Sequence, residues 1–226
     1  MEQKQEKTDI LRQMSSVVSH ELRNPLAIIS NSLYFVKTKL AAGGAALDPK
    51  IAKHIGIIES EVKHSNDVIE EMLAFTRARE MKPSRVSVNA ALRDAASSYT
   101  FPPSVTHEVT EDPADPCVSA DPEALAYALR GLLNNAVQAM AEGGTVKLAA
   151  SHEGRLAQFS VTDGGPGLPE GDGEKVFAPF FTTKPRGIGL GLTLARRYME
   201  QLGGSAAAAN APGGGARVTL TLPLAD

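Results

Sequence analysis

Four short stretches of this 226-residue chain gather side chains able to do chemistry. The first, SHELRNPL (Ser19–Leu26), holds an imidazole at His20, a carboxylate at Glu21 and an amide at Asn24, just ahead of Pro25. The second, NNAVQAM, carries Asn135. The third, VTDGGPGL, puts Asp163 at the end of a strand-like run and follows it with Gly164, Gly165 and Gly167. The fourth, GIGLGLTLARRYMEQLGG, sets Gly187, Gly189, Leu190 and Gly191 at the threshold of a helical pattern. A carboxylate at a strand end can accept a hydrogen bond from an exocyclic amine such as adenine's, and glycines beside it let backbone approach a flat base. A glycine-rich run opening a helix aims unpaired N–H groups and a positive dipole end at an anion. An asparagine facing the same cleft can hold Mg2+ through its carbonyl oxygen while phosphates fill other positions. Taken singly, DGGPG reads as a turn, GIGLGL as a weak phosphate signal and adjacent asparagines as solvated helix surface. Their order, with VFAPFFTTKP between the third stretch and the fourth, points to one nucleotide site.

His20 is different in kind. At about 100° per residue it sits about 160° from both Val18 and Leu22, so it points away from the apolar stripe and towards solvent. The other histidines, His54, His64, His107 and His152, have no comparable surroundings and read as structural or exposed.

The elements that must position these residues divide the chain in two. Leu11, Met14, Val18, Leu22, Leu26, Ile29, Leu33, Val36 and Leu40 recur three and four apart, one helical stripe. Gly43 and Gly44 end that helix; Asp48 then caps a second, with Pro49 at its first position. Its stripe is Ile51, Ile55, Ile58, Val62, Ile69, Met72 and Thr76. Two such helices make an antiparallel hairpin that cannot bury both stripes alone, so pairing into a four-helix homodimer is expected. From Ser84 the grammar changes. Val88–Ser98 reads as helix and Ser104–Val109 as strand; a short strand at Cys117 leads into a helix capped by Asp121 and started by Pro122. Thr145–Ala150 and Leu156–Thr162 alternate as strands around HEGR, Leu190–Leu202 is a helix closed by Gly203 and Gly204, and Arg217–Leu224 is a last strand. AAAANAPGGG reads as a loop between final strands. The fold class is α+β: a helical hairpin over residues 1–82, then an α/β sandwich with a mixed, mostly antiparallel sheet over 84–226. The stretch Lys82–Ser87 is the expected hinge and Pro179–Pro185 the expected lid.

Composition narrows the classes. A net charge of −3 gives no reason to expect a nucleic-acid partner. One cysteine, Cys117, excludes an intramolecular disulfide and argues against a zinc site, which points to a reducing cytoplasm. No apolar run approaches the roughly 18–20 residues that span a bilayer, so no membrane segment is expected, and Met1–Ile10 is too polar for a signal peptide.

Residues 84–226 resemble the ATP-binding domain of bacterial sensor histidine kinases, a superfamily shared with gyrase, the MutL mismatch-repair protein and a heat-shock chaperone. Asn135 matches that family's Mg2+-binding asparagine, and DGGPG its D-x-G-x-G box, with Asp163 as adenine acceptor beside Gly165 and Gly167. FAPFFTTK, with Thr183 and Lys184, looks like the phenylalanine box of the nucleotide lid, and GIGLGL like the second glycine box. Neither a P-loop nor a Rossmann fingerprint is present. HELRNPL matches the phosphoacceptor box, and the two-helix region resembles the dimerisation and phosphotransfer domain. The resemblance implies that ATP·Mg2+ phosphorylates His20, with Glu21 as general base, and that the phosphoryl group passes to an aspartate on a response-regulator receiver domain. It also implies that Asn24 orients a water for phosphatase action on that regulator. Two positions depart from the pattern: Gly131 stands where many relatives carry a second asparagine, and Gln138 where some carry a lysine. Lys184 or Arg186 is expected to balance the triphosphate charge instead. The alternative readings are a non-catalytic, nucleotide-binding dimeric scaffold and an ATP-hydrolysing clamp of the gyrase type.

Overall fold

The computed structural model describes residues 22–40, 48–77, 79–169, 171–184 and 188–225. These fall into two compact units divided between Arg79 and Glu80.

The first unit is a pair of helices, α1 (22–40) and α2 (Pro49–Thr76). The Asp48 carboxylate accepts from Lys50 N at 2.7 Å, and Pro49 fills the first turn, where its missing N–H costs nothing. Ion pairs between Arg23 and Glu70 and between Lys37 and Glu59 show the helices running antiparallel. On α2 the buried positions Ile55, Val62, Ile69 and Thr76 repeat every seventh residue, the period of a bundle seam. Ile51 and Ile58, expected on the same stripe, are exposed, and Leu73 is buried in addition. On α1 only Leu26 and Leu33 of the described stripe are half-buried; Leu22, Ile29, Val36 and Leu40 face outward with Ile28, Tyr34 and Phe35. One hairpin therefore leaves a large apolar surface uncovered.

The second unit is an α/β sandwich. It opens with β1 (Ser84–Ser87), α3 (Val88–Ser98), β2 (Val105–Thr110), β3 (Cys117–Ala120) and α4 (Pro122–Ala139). Then come β4 (Gly144–Glu153), β5 (Leu156–Thr162), a 3-10 turn at Lys175–Phe177, α5 (Gly191–Gln201), β6 (Ser205–Asn210) and β7 (Ala216–Pro223). Five strands form one sheet in the order β2-β4-β5-β7-β6, with β2 and β4 parallel and every other pair antiparallel. Alternation sends Val146, Leu148, Ala157, Phe159, Val161, Val218, Leu220 and Leu222 to one buried face. Leu92, Leu125, Leu129, Leu132, Leu133, Leu194 and Met199 cover it from the helices, each buried leucine contributing about 1.5–3 kcal/mol.

Two expectations are corrected. Ser84–Ser87 is not a hinge: it pairs antiparallel with β3, Ser84 opposite Ala120 and Ser87 opposite Cys117, and Lys82 N donates to Asp121 at 3.0 Å. This edge belongs to the sandwich, and its four polar-rich residues carry too little alternation to announce a strand. Likewise the loop read at AAAANAPGGG is half strand: residues 206–210 belong to β6, and only residues 211–215 turn. Alanine has weak strand preference, so the pairing with β7 decides.

Candidate nucleotide site

The site is assembled along one side of α4. Asp121 starts that helix, its Oδ1 accepting from Ala124 N at 3.0 Å, with Pro122 at the first position. One turn apart, Gly131, Asn135, Gln138 and Ala139 then point to the loops that follow β5 and precede α5, as their contacts show. Asn135 Oδ1 accepts from Lys184 Nζ at 2.6 Å, and Gln138 Oε1 accepts from the same ammonium at 2.8 Å. A Cβ at Gly131 would stand 3.7 Å from Gly191 O, so this position faces the opening turn of α5. A Cβ at Gly165 would lie 2.8 Å from Ala139 O, closer than side-chain carbons come, so only glycine lets the loop press against α4 here.

Asp163 leaves the end of β5 and is buried. Its N–H donates to Ala216 O at 2.9 Å, and its Oδ1 accepts from Gly165 N at 2.9 Å and Ala216 N at 3.1 Å. Both bonds fall on Oδ1, which fixes the carboxylate and leaves Oδ2 for a donor from outside. Met140, at the end of α4, receives Gly164 N at 3.3 Å on its sulfur. Gly167 lies against Asn210, whose side chain accepts from Leu168 N at 2.6 Å and donates to Leu168 O at 3.0 Å, holding the loop as a strand partner would.

Ahead of the stretch expected as the lid stands the buried Phe177, over which Arg196 of α5 stacks at 4.7 Å while pairing with Glu174 at 2.8 Å. Phe180 N donates to Gly189 O at 3.1 Å, and Gly189, at φ 69°, sits so close to Phe181 O that a Cβ would come within 2.3 Å. Thr183 is exposed; Thr182 Oγ1 accepts from Lys184 N at 3.1 Å and turns the chain so that Lys184 points back to α4. Leu190 is buried and precedes Gly191 at the start of α5, a helix with no side-chain cap, so its first N–H groups are left for another acceptor.

The structure thus brings together Asn135 and Lys184, Asp163 and Gly165, and Gly131 with Gly191, all along α4. Gly187, like Arg186, lies outside the described residues, as do His20 and Glu21. Asn24 is exposed on α1. Arg23, next to it, pairs with Glu70 of α2. Among the described residues no group of three His, Cys, Asp or Glu side chains could hold a metal ion. The fit to Mg2+ is of another kind: two neutral amide oxygens, Asn135 Oδ1 and Gln138 Oε1, already converge on a cation, the Lys184 ammonium. Such a donor set suits a hard ion that arrives with phosphate and water as its other ligands.

Three residues of the site carry no motif. Gly215 adopts φ 80°, and a Cβ there would lie 1.9 Å from Asp163 O. Asn210 clasps Leu168, and Tyr99 braces the neighbour of Asn135, its hydroxyl donating to Asn134 Oδ1 at 2.9 Å while burial pushes its pKa up. The run PGGGA before the last strand was the one available sign of Gly215.

Two family models match the chain in tandem. One, described as the His Kinase A (phospho-acceptor) domain, matches residues 10–80. The other, described as Histidine kinase-, DNA gyrase B-, and HSP90-like ATPase, matches residues 120–226. By fold, site and this domain order the chain belongs to the sensor histidine kinase family. Sensor histidine kinase ZraS of Escherichia coli is 31% identical over 224 residues, covering 98% of this chain and 48% of that protein. The ZraS of Klebsiella oxytoca is 32% identical over 234 residues, with 98% and 48% covered. The chain spans about half the length of the curated relatives it matches. Among solved structures, full-length ShkA in complex with AMPPNP is similar with a TM-score of 0.74 at 25% identity, covering 94% of this chain and 46% of that one. Histidine kinase ThkA in complex with response regulator protein TrrA gives 0.67 at 27%, covering 98% and 64%. Among the described residues no helix is long and apolar enough to cross a membrane.

Proposed function

We propose that this chain is the catalytic core of a homodimeric protein histidine kinase that phosphorylates itself on His20 from ATP·Mg2+ and passes the phosphoryl group to an aspartate of a response-regulator receiver domain. The observation that carries the reading is the convergence of Asp163, Gly165, Asn135, Lys184 and the uncapped start of α5 on one side of α4. Residues 1–82 serve as the phosphoacceptor and dimerisation domain, and 84–226 as the ATP-binding domain. The apolar surface left on α1 and α2 is what a second hairpin would cover to complete a four-helix bundle.

In the nucleotide site Asp163 Oδ2 accepts from adenine's exocyclic amine, and Gly165 and Gly167 let the loop lie against the base. Gly187, Gly189, Leu190 and Gly191 bring the first N–H groups of α5 to the phosphates, and Thr183 and Lys184 close over them. Asn135 Oδ1 would hold Mg2+, which when bound would neutralise phosphate charge. His20 attacks the γ-phosphorus through the ring nitrogen with the free lone pair; an N–P bond forms, the bridging P–O bond breaks and ADP leaves. Glu21 takes the proton from the other ring nitrogen, a role commonly contributing about 10²–10⁴-fold. Asn24, one turn from His20 on an exposed face, orients a water for hydrolysis of the regulator's phosphoaspartate. A kinase that uses ATP and a diffusible regulator works in the cytoplasm. The complexes of similar kinases with AMPPNP and with a response regulator support both ligands.

Incubating the chain with γ-labelled ATP and Mg2+ tests this. Acid-labile, alkali-stable label is expected on the wild type and none on His20→Gln. An unlabelled wild type that still binds nucleotide would refute the kinase and leave a scaffold.

A further inference from the structure

The side of α4 that faces the nucleotide loops has no charge of its own. It presents Gly131, Asn135, Gln138 and Ala139, while Arg130 lines a cavity of about 210 Å³ between α3 and α4 with Ala91, Leu125 and Tyr99. A metal-bound triphosphate placed against that side has to find a cation elsewhere. Lys184 reaches it from 49 residues downstream of Asn135, and its ammonium is held by two oxygens one turn apart, Asn135 Oδ1 at 2.6 Å and Gln138 Oε1 at 2.8 Å. Both acceptors are neutral amides. Neither of these two bonds cancels the ammonium's charge, which a carboxylate in either place would do.

We propose that Gln138 is a positioning residue: it docks Lys184 beside Asn135, so that the lysine supplies the positive charge α4 lacks. The proposal rests on the ATP site assigned above. With Mg2+ bound, Asn135 Oδ1 would be taken up by the metal. Gln138 Oε1 keeps its hold and leaves Lys184 aimed at phosphate. Thr182, bonded to Lys184 N at 3.1 Å, fixes the backbone from which the side chain reaches.

Calorimetric titration of the full chain with AMPPNP in the presence of Mg2+ reads this without turnover. Lys184→Ala and Gln138→Ala should each weaken binding about tenfold or more, the scale of a hydrogen bond to a charged group. The double variant should bind no more weakly than Lys184→Ala, because the two act as one unit. Lys184→Ala combined with Gln138→Lys, which moves the cation onto the helix, should recover most of the loss; a merely structural glutamine would give no such rescue. Gln138→Ala binding like wild type, or no recovery in the relocated-lysine variant, overturns the proposal. A wild-type chain that binds no AMPPNP overturns the ATP site itself, and this inference with it. Gln138 is exposed, and matched melting curves keep loss of fold out of the comparison.

Discussion

Gly215→Ala is the substitution that tests how the Asp163 carboxylate is held, and Gly213→Ala is its built-in control. Both glycines have positive φ, 80° and 93°, so each alanine meets about 1–2 kcal/mol of backbone cost. At Gly213 that is all, because nothing lies within 4 Å of the new Cβ. At Gly215 the Cβ would fall 1.9 Å from Asp163 O and 3.2 Å from Asp163 Oδ1. Carbon and oxygen approach to about 3.3 Å at closest, so one group must move by about an ångström or more. Asp163 is tied to Ala216 in both directions and to Gly165, so the movement comes at the expense of those bonds. Overpacking of this kind adds about 1–3 kcal/mol. Melting temperature should fall by roughly 2–4 °C per kcal/mol for a unit of this size, further for Gly215→Ala than for Gly213→Ala. Nucleotide affinity should separate the two more sharply. A displaced Asp163 should lose the proposed charge-assisted bond to adenine, about ten- to hundred-fold in Kd, while Gly213→Ala should keep wild-type affinity. Thermal melting and titration with AMPPNP measure both. If the two variants match in stability and affinity, Gly215 does not support Asp163 and the reasoning fails.

Asp112 gives a pH prediction. Burial by itself would raise its carboxyl, but the hydrogen bond from His152 at 2.6 Å, the Ala114 N–H and the charge of His152 together hold it below the usual carboxylate value. Its contribution to stability is therefore present above about pH 4 and lost as pH falls through the lowered folded value, so Asp112→Asn should flatten the acid limb of urea midpoints plotted against pH. On α1, Ile28 and Phe35 lie seven residues apart and are 66% and 60% exposed; Ile28→Glu with Phe35→Glu should shift the chain from dimer to monomer in sedimentation, and an unchanged mass would place the dimer contact elsewhere.

What sequence could and could not disclose follows from the range of the forces involved. The spans of α3 and α4 were legible because their determinants are local: Ser87 and Asp121 cap within three residues, and Pro122 fits only a first turn. β5 was legible because Ala157, Phe159 and Val161 alternate into a buried face. β6 was not, since four alanines state no preference and its partner β7 supplies the reason for a strand. The site divides the same way. Asp163, Asn135 and the glycines stand in short motifs, and the described ones among them lie along α4 and the loops beside it. Gly215 has no motif, because the need for glycine there is created by Asp163 arriving 52 residues earlier in the chain and packing against it. Position 138 shows the limit most plainly. Read along the helix, a glutamine in place of a lysine is a missing charge. In space it receives Lys184 from 46 residues away, at a distance of 2.8 Å. A binding site requires charge at a place, and a motif records only charge at a position. Where the fold brings the two together from different segments, the apparent loss in one motif and the lysine in another belong to the same feature.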